Sequence, residues 1–199
     1  MIASKTPAIR VLALLVAIAT AICVFALVGT IFRSGRAAHL AVEWVGIVLI
    51  VICVLGRAWA RLYSANGKDV AFASDGFYSV SRHPLDMFLI IGAVGMGMQT
   101  GSLIVGLICG AIAWIALRAI VTQEEKWLVD AHGASYRDYI SRVPLLLPKW
   151  PLWKAAPISS VPQSSVVWMF GDGLLFLLAV PIAEYLEQAH IVPVLLKLP

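Results

Sequence analysis

Long apolar runs recur along this chain, and they restrict the environment in which it can fold. A helix that crosses the hydrocarbon core of a bilayer needs about 20 mostly apolar residues. Hydrophobic residues make up 61% of the 199 positions and charged residues only 13%, whereas soluble domains carry about 25% charged residues. We therefore predict an all-α fold, a polytopic integral membrane helical bundle with about five transmembrane helices. The predicted spans are Val11–Phe32, about Leu40–Gly56 with a helical extension toward Tyr63, Pro84–Met98, Ser102–Val121 and about Val166–Ala183.

The first and third spans each carry a further expectation. Val11–Phe32 is longer than the apolar core of a signal peptide and lacks a convincing small-residue cleavage site, so we expect a retained helix. Pro84–Met98 is short, and only Gln99-Thr100-Gly101 separates it from the fourth span, which predicts a tight helical hairpin. Its last turns contain glycines that would let a neighbouring backbone approach closely, namely Gly92, Gly95 and Gly97.

Basic residues are distributed unevenly between the two sides of the predicted bundle. Most of them lie in three regions: near the N-terminus, in the loop 57–83, and from the end of the fourth span into the loop 122–165. The exceptions are Arg33, Arg36 and Lys197. Because basic residues favour the cytoplasmic side, we predict a multi-pass protein whose N-terminus and two large loops are cytoplasmic. If the protein is bacterial, the membrane that it spans is expected to be the inner, cytoplasmic membrane. The net charge of +4 does not indicate nucleic acid binding, and the expected partner of these residues is the lipid bilayer.

We predict a single membrane domain over 1–199 with three parts. Residues 1–56 would form an N-terminal helical hairpin, 57–148 the functional core, and 149–199 an interfacial segment with an extra C-terminal helix. Five of the ten prolines lie between positions 144 and 162, which excludes repeated helices there. Trp150 and Trp153 are typical of a membrane interface.

The three cysteines do not indicate a disulfide framework. Cys23, Cys53 and Cys109 all lie inside apolar runs, where a free thiol packs as a small apolar side chain. No metal site is predicted.

The segment SVSRHPLDMFLIIG, residues 79–92, places polar side chains where the third span begins. Pro84 suits the first position of a helix, because its missing N–H would have no helical partner there. His83 is then expected at a helix N-terminus, whose free N–H groups and partial positive charge attract anions. With Arg82, this predicts an anion site at the membrane edge. The alternative is that Arg82 and His83 contact lipid headgroups.

Two adjacent carboxylates, Glu124 and Glu125, directly follow the fourth span. Neighbouring residues on a helix point about 100° apart, so one carboxylate can face inward while the other faces water. The inward one would suit an ammonium group. The alternative is a solvated helix end in which these residues pair with Arg118 or Lys126.

The third polar cluster is HGASYRDYISRVPLLLP, residues 132–148. Gly133 can end one helix, and Tyr136 to Ile140 can begin another. The guanidinium of Arg142 then precedes an apolar stretch, which suits a ligand with a carboxylate head and an apolar tail. The alternative is again binding of lipid phosphate.

The first two clusters together supply an anion site and a cation site on one membrane face. A zwitterionic amino acid needs both at once, and the methionine part of S-adenosylmethionine is such a group. The order of the motifs adds to this inference. The motifs occur along the chain in this order: Gly76, Tyr78, Arg82-His83-Pro84, a helical hairpin, Glu124-Glu125, Gly133, Tyr136, Tyr139 and Arg142-Val143-Pro144.

This ordered set, over about residues 57–148, resembles the isoprenylcysteine carboxyl methyltransferase family and its phospholipid methyltransferase relatives. The resemblance implies an all-helical membrane enzyme with an S-adenosylmethionine pocket on the cytoplasmic face. It implies that His83 and Glu125 contact the cofactor and that Arg142 lies near the methyl-accepting group. The other motif positions predicted to complete the cofactor site are Tyr78, Arg82, Glu124 and Tyr136.

Two positions depart from the family pattern. Asp86 stands where the family has a tyrosine two residues after the proline. Asp86 could contact the cofactor, recognise a polar acceptor or act as a general base, or it could stabilise the helix N-terminus, which we favour. The chain also continues into the fifth predicted span, where Asp172 is expected to face the bundle or the interface.

The resemblance implies methyl transfer to a hydrophobic or lipidated acceptor, with a carboxylate as the expected acceptor group. A thiol or an amine on a lipid-like molecule also fits. The first alternative is an NADPH-dependent membrane reductase of the steroid 5α-reductase type, although no further Arg or Lys cluster clearly supplies the contacts for its phosphates. The second alternative is a non-catalytic lipid-binding membrane protein. The sequence leaves the oligomeric state open.

Overall fold

A computed structural model of the chain describes residues 36–64 and 74–155, together with the two helical positions Leu177 and Pro181. The first predicted span lies outside the described residues. So do most of the fifth predicted span, Asp172 and Cys23. These parts of the predicted five-helix bundle stay predictions, as does the division into three parts.

The described part of the chain is helical and contains no strand. Its helices are α1 (Arg36–Ser64), α2 (Phe77–Val80), α3 (Pro84–Met98), α4 (Leu103–His132) and α5 (Ala134–Arg142), followed by a 3₁₀ turn at Trp150–Leu152. Within these residues, Gly76 and Lys154 form an isolated antiparallel bridge. The prediction of an all-α fold is confirmed for this part of the chain.

The helix ends follow local sequence signals. Pro84 occupies the first turn of α3, with His83 as the N-cap residue. The Ser102 hydroxyl accepts a hydrogen bond from the N–H of Val105 and so caps α4. Helix α4 runs well past the predicted end of the fourth span, because no helix breaker occurs before Gly133. That glycine has a φ of 57°, which L side chains rarely adopt, and it separates α4 from α5.

Two described helices are long and apolar enough to cross a membrane. They are Ala37–Leu62 within α1, with a mean hydropathy of 2.4, and Leu103–His132, with a mean hydropathy of 2.3. Helix α3 is a shorter apolar helix. Large apolar side chains such as Trp44 and Leu55 on α1 and Ile115 on α4 are exposed among the described residues. This pattern indicates a membrane protein, because lipid can cover such faces at little cost.

Helix α3 packs between α1 and α4, and glycines set how closely these helices approach. A Cβ atom at Gly95 would lie 2.7 Å from the carbonyl oxygen of Gly46 on α1. A Cβ atom at Gly97 would lie 2.7 Å from the Cα of Gly106 on α4. The predicted close approach at Gly95 and Gly97 is therefore confirmed. Gly92 is buried in the same helix.

Aromatic rings pack where α1, α2, α3 and the 3₁₀ turn meet. The ring of Phe77 makes edge contacts with four others, those of Trp59, Phe88, Trp150 and Trp153, at centroid distances of 5.0, 5.5, 6.3 and 5.7 Å. Such pairs stabilise a fold beyond the area they bury. This packing ties the segment after α5 to the end of α3 at which His83 lies. Cys53 and Cys109 are buried, as predicted.

Candidate functional site

Two segments that lie far apart in the sequence run side by side at the start of α3. Residues 76–83 contain α2 and the link to α3, and residues 144–154 follow α5. Main-chain hydrogen bonds join them, from Arg82 N–H to Pro144 O (2.9 Å), His83 N–H to Leu145 O (3.1 Å), Lys149 N–H to Val80 O (2.9 Å) and Gly76 N–H to Lys154 O (2.9 Å). Because these bonds hold the backbone of residues 82–83, they also fix the positions of the Cα atoms that carry the two side chains.

Helix α5 is attached to the same region through its tyrosines. The hydroxyl of Tyr139 donates a hydrogen bond of 2.7 Å to the carbonyl oxygen of Tyr78. Tyr136 lies beside Tyr139, with a ring centroid distance of 5.6 Å, and is only 2% exposed. Burial, and after it the charge of Glu125, raise the pKa of Tyr136 to about 12. Tyr136 is therefore a neutral hydroxyl at physiological pH.

His83 lies between two carboxylates. Its Nδ1 is 3.6 Å from Oδ2 of Asp86, three residues later in the first turn of α3. Its Nε2 is 3.4 Å from Oε1 of Glu125 on α4. The His83 side chain is only 7% exposed. Each ring nitrogen therefore faces a separate acidic group inside the protein.

Glu125 also faces Arg82, whose Nη1 lies 2.6 Å from the same Oε1. We call Arg82, His83, Asp86 and Glu125 the His83 cluster. Two of its members are buried, and the other two are largely covered. The cluster combines a guanidinium and an imidazole with two carboxylates, so it can bind an anionic and a cationic group side by side.

Two nitrogen atoms of this cluster are buried without a hydrogen-bond partner in the described part of the chain. They are Nε of Arg82 and Nε2 of His83, which approaches Glu125 without good hydrogen-bond geometry. Buried polar atoms normally have a partner, because an unpaired donor costs about 1–3 kcal/mol. A ligand with an acceptor group at this place would supply the missing bonds.

The structure thus brings four of the eight predicted site residues into direct contact. Tyr136 is near enough to Glu125 for its titration to be affected by that charge. Glu124 is half-buried beside Glu125, and Tyr78 contributes its backbone carbonyl to the bond with Tyr139. Arg142 lies apart from this group.

Arg142 is located on the last turn of α5. Its side chain is 56% exposed and is paired with Asp138 one turn earlier. An exposed pair at this spacing contributes about 0.3–0.5 kcal/mol to stability. The role of Arg142 beside the methyl-accepting group stays a prediction.

A crevice opens beside the His83 cluster, between α3, α4 and the segment after α5. It is narrow, with a free volume of about 10 Å³, which is room for about one water molecule. We call it the Asp86 crevice; its lining residues are Asp86, Ile90, Trp114, Leu117, Arg118, Val121, Leu145 and Leu146. Most of these side chains are apolar.

None of the lining residues on α4 was predicted to belong to a site. A signal for them is present in the sequence, because Trp114, Arg118, Val121 and Glu125 are separated by four, three and four positions. Residues at this spacing lie on one face of a helix. The same face therefore carries the carboxylate of the His83 cluster and one wall of the Asp86 crevice.

Comparisons with known proteins indicate relatives of two kinds. The chain is 28% identical to a nickel-cobalt-cadmium resistance protein of Alcaligenes xylosoxydans xylosoxydans, over 78% of this chain and 74% of that protein. It is 33% identical to the protein-S-isoprenylcysteine O-methyltransferase of Schizosaccharomyces pombe, over 48% of this chain and 41% of that enzyme. It is 35% identical to methanethiol S-methyltransferase 2 of Bradyrhizobium diazoefficiens, over 48% of this chain and 36% of that enzyme.

About half of the chain is thus similar to two methyltransferases, and this half spans less than half of either enzyme. No known family profile and no solved structure matches the chain. Within the described ranges, no group of three or more His, Cys, Asp and Glu side chains is arranged to hold a metal ion.

Proposed function

We propose that this protein is an integral membrane methyltransferase that uses S-adenosylmethionine and acts on a hydrophobic or lipid-like acceptor. The observation that carries the proposal is the contact of Glu125 with Arg82 and His83. These residues come from distant parts of the ordered motif that resembles the methyltransferase family. The similarity to an O-methyltransferase and an S-methyltransferase supports the same reaction type.

The charges of the His83 cluster suit the amino acid part of the cofactor. Arg82 and Glu125 neutralise one another in the structure. A zwitterion offers a carboxylate to Arg82 and His83 and an ammonium group to Glu125, so it can replace this internal pair without leaving a charge unpaired. The unpartnered donors Nε2 of His83 and Nε of Arg82 also fit an incoming carboxylate. Tyr78, Glu124 and Tyr136 are proposed as surrounding contacts.

S-adenosylmethionine supplies an electrophilic methyl group when it is bound. The protein's part is then to align the acceptor with that methyl group and to exclude water. The apolar walls of the Asp86 crevice can exclude water and contact an apolar tail. Asp86 lies on this crevice and also contacts His83, so the crevice adjoins the proposed cofactor site.

Two kinds of acceptor group are compatible with this proposal. The family resemblance predicts a carboxylate, which Arg142 would orient and which needs no base. A thiol or an amine must lose a proton, and Asp86 is the carboxylate among the residues that line the crevice. The name of the metal-resistance relative states a resistance and no reaction, so it favours neither kind of acceptor.

We further propose that the protein crosses the membrane several times and that the His83 cluster faces the cytoplasm. The distribution of basic residues supports this orientation. Lys149 and Leu103 are both exposed and lie at opposite ends of the described bundle. In a cysteine-free background, Lys149→Cys should react with a membrane-impermeant thiol reagent only from the cytoplasmic side, and Leu103→Cys only from the other side. Labelling of both from one side would contradict this orientation.

The function is tested by methyl transfer in reconstituted vesicles. The full chain is supplied with S-adenosylmethionine carrying an isotopic methyl group and with a lipid extract as acceptor. Label in the organic phase is expected with wild type and lost in both His83→Ala and Glu125→Gln. NADPH oxidation is followed in parallel. Oxidation without methyl transfer would favour a reductase, and neither reaction would favour a lipid-binding protein.

A further inference from the structure

We propose that Arg57 of α1 is a positioning residue of the cofactor site, which holds the first turn of α3 and thereby sets where His83 faces Glu125. The inference rests on the proposed methyltransferase function. It adds to the site a helix that carries none of the predicted site residues. Arg57 does not contact the cofactor in this proposal but acts through His83.

The first observation is the place of the Arg57 side chain. The sequence analysis counted Arg57 with the basic residues of the predicted loop 57–83, but the structure places it inside α1. Arg57 is only 9% exposed, so its guanidinium faces the other helices rather than lipid headgroups. An ionisable side chain inside a membrane-spanning helix is costly and is most often kept because it serves a function.

The second observation is the contact of Arg57 with α3. Its Nη1 donates a hydrogen bond of 2.8 Å to the carbonyl oxygen of Leu85, which lies 28 positions later. Leu85 belongs to the first turn of α3, between the N-cap residue His83 and Asp86. A carbonyl oxygen has two lone pairs, so it can accept this bond and a helical one together. Arg57 therefore holds the turn that carries two members of the His83 cluster.

The packing around Arg57 keeps α1 close to the same turn. A Cβ atom at Gly56 would collide with the ring of Phe88 on α3. Ala60, one turn of α1 later, is completely buried in an apolar cluster that also contains Phe88. Because these contacts leave no slack between the two helices, the position of the guanidinium and that of the first turn of α3 depend on one another.

Hydrophobic packing does not explain why position 57 is an arginine. The N-terminus of α3 carries a partial positive charge, which disfavours a cation beside it. Burial adds the cost of removing a guanidinium from water. Asp86 supplies a negative charge in the same turn that offsets both effects. An apolar side chain would fill the space without these costs, so the hydrogen bond to Leu85 is the feature that requires an arginine.

The consequence for the site concerns the imidazole of His83. Its two ring nitrogens lie 3.6 Å from Asp86 and 3.4 Å from Glu125, so a small shift of the first turn of α3 would change both distances. A misplacement of about 1 Å in an active site can cost about 10²-fold in rate. A shift of this turn would also move the donor that the proposed cofactor carboxylate needs.

The test is a double-mutant cycle on the affinity of the detergent-purified full chain for S-adenosylhomocysteine, measured by calorimetry. Arg57→Met removes the charge and the donors and keeps an unbranched side chain. We expect its affinity to fall about tenfold, the value of a hydrogen bond to a charged group. In a His83→Ala background the same change should cost less than about twofold, because the group through which Arg57 acts is absent.

Two controls separate positioning from a general loss of stability. Gly97→Ala disturbs the packing of α3 at its other end, so it should lower the stability and leave the affinity unchanged. Arg137→Met makes the same change at an exposed position of α5 and should behave as wild type. If Arg57→Met fails to fold, the cycle is run with Arg57→Gln, which keeps an amide donor, and is judged in the same way.

Wild-type affinity in the Arg57 variant would overturn the inference. So would equal losses of affinity with and without His83, which indicate a structural role alone, or an equal loss in Gly97→Ala. If wild type does not bind S-adenosylhomocysteine, the proposed function itself fails, and this inference fails with it.

Discussion

Nη1 of Arg82 lies 2.6 Å from Oε1 of Glu125, although the two residues are 43 positions apart in the sequence. The pair joins the link before α3 to the cytoplasmic end proposed for α4. His83 approaches the same carboxylate oxygen at 3.4 Å. One carboxylate therefore faces two basic side chains, and the proposed cofactor site depends on its position.

Removal of the His83 imidazole should weaken cofactor binding and abolish methyl transfer. His83→Ala removes a group that faces Asp86 and Glu125, and it takes away one donor available to a cofactor carboxylate. We expect affinity for S-adenosylhomocysteine to fall about tenfold or more, the value of a hydrogen bond to a charged group. His132→Ala, at the end of α4, is the matched control. Equal affinity in His83→Ala and wild type would remove His83 from the site.

The hydroxyl of Tyr139 should matter for the attachment of α5. Tyr139→Phe removes the hydrogen bond to the carbonyl oxygen of Tyr78 and leaves the ring in place. We expect a loss of about 1–3 kcal/mol in the free energy of unfolding, because the carbonyl loses its partner in a partly buried place. Denaturant titration in detergent measures this change. A loss below about 0.3 kcal/mol would show that water replaces the bond.

Stability should decline at alkaline pH through the buried tyrosines. An unfolded tyrosine ionises near pH 10, whereas the pKa of Tyr136 is raised to about 12, by burial first and then by Glu125. The neutral form is favoured in the folded state, so the contribution is fully present below pH 10 and is lost as pH rises toward about 12. Thermal unfolding midpoints in detergent should fall over this range, and less steeply in Tyr136→Phe. Parallel declines in both proteins would contradict the assignment.

The contact between α3 and α4 should not tolerate an added methyl group at Gly97. The Cβ of Gly97→Ala would lie 2.7 Å from a backbone atom of Gly106, which cannot move away as a flexible side chain can. We expect a loss of about 1–3 kcal/mol in the free energy of unfolding, typical of overpacking. Ala119→Leu adds more volume at an exposed position of α4 and should change stability by less than about 0.5 kcal/mol. Similar stabilities of the two variants would contradict the packing described.

Much of the local structure could be predicted because the signals are local. Pro84 fixes the start of α3, the three residues after Met98 form the hairpin turn, and Gly133 separates α4 from α5. The sequence also predicted an anion site at Arg82 and His83 and a cation site at Glu125, but not the direct contact between these residues. The first and fifth spans are expectations that the described residues do not test.

The remaining features depend on contacts between distant segments. Hydrogen bonds between main-chain atoms, such as that from His83 N–H to Leu145 O, leave no mark on residue type. The sequence predicted an apolar stretch after Arg142 that suits an apolar tail, but it did not predict that this stretch lies beside Asp86. Arg142 itself has a local partner in Asp138 four residues earlier, and this pair holds it on the exposed face of α5.

The most direct test of the proposed function is a calorimetric titration of the detergent-purified full chain with S-adenosylhomocysteine. Wild type and Asp130→Asn should bind with equal affinity. Glu125→Gln should bind about tenfold or more weakly, because it removes the charge that faces the ammonium group. Absence of binding by folded wild type, or equal binding by Glu125→Gln, would contradict a cofactor site at the His83 cluster.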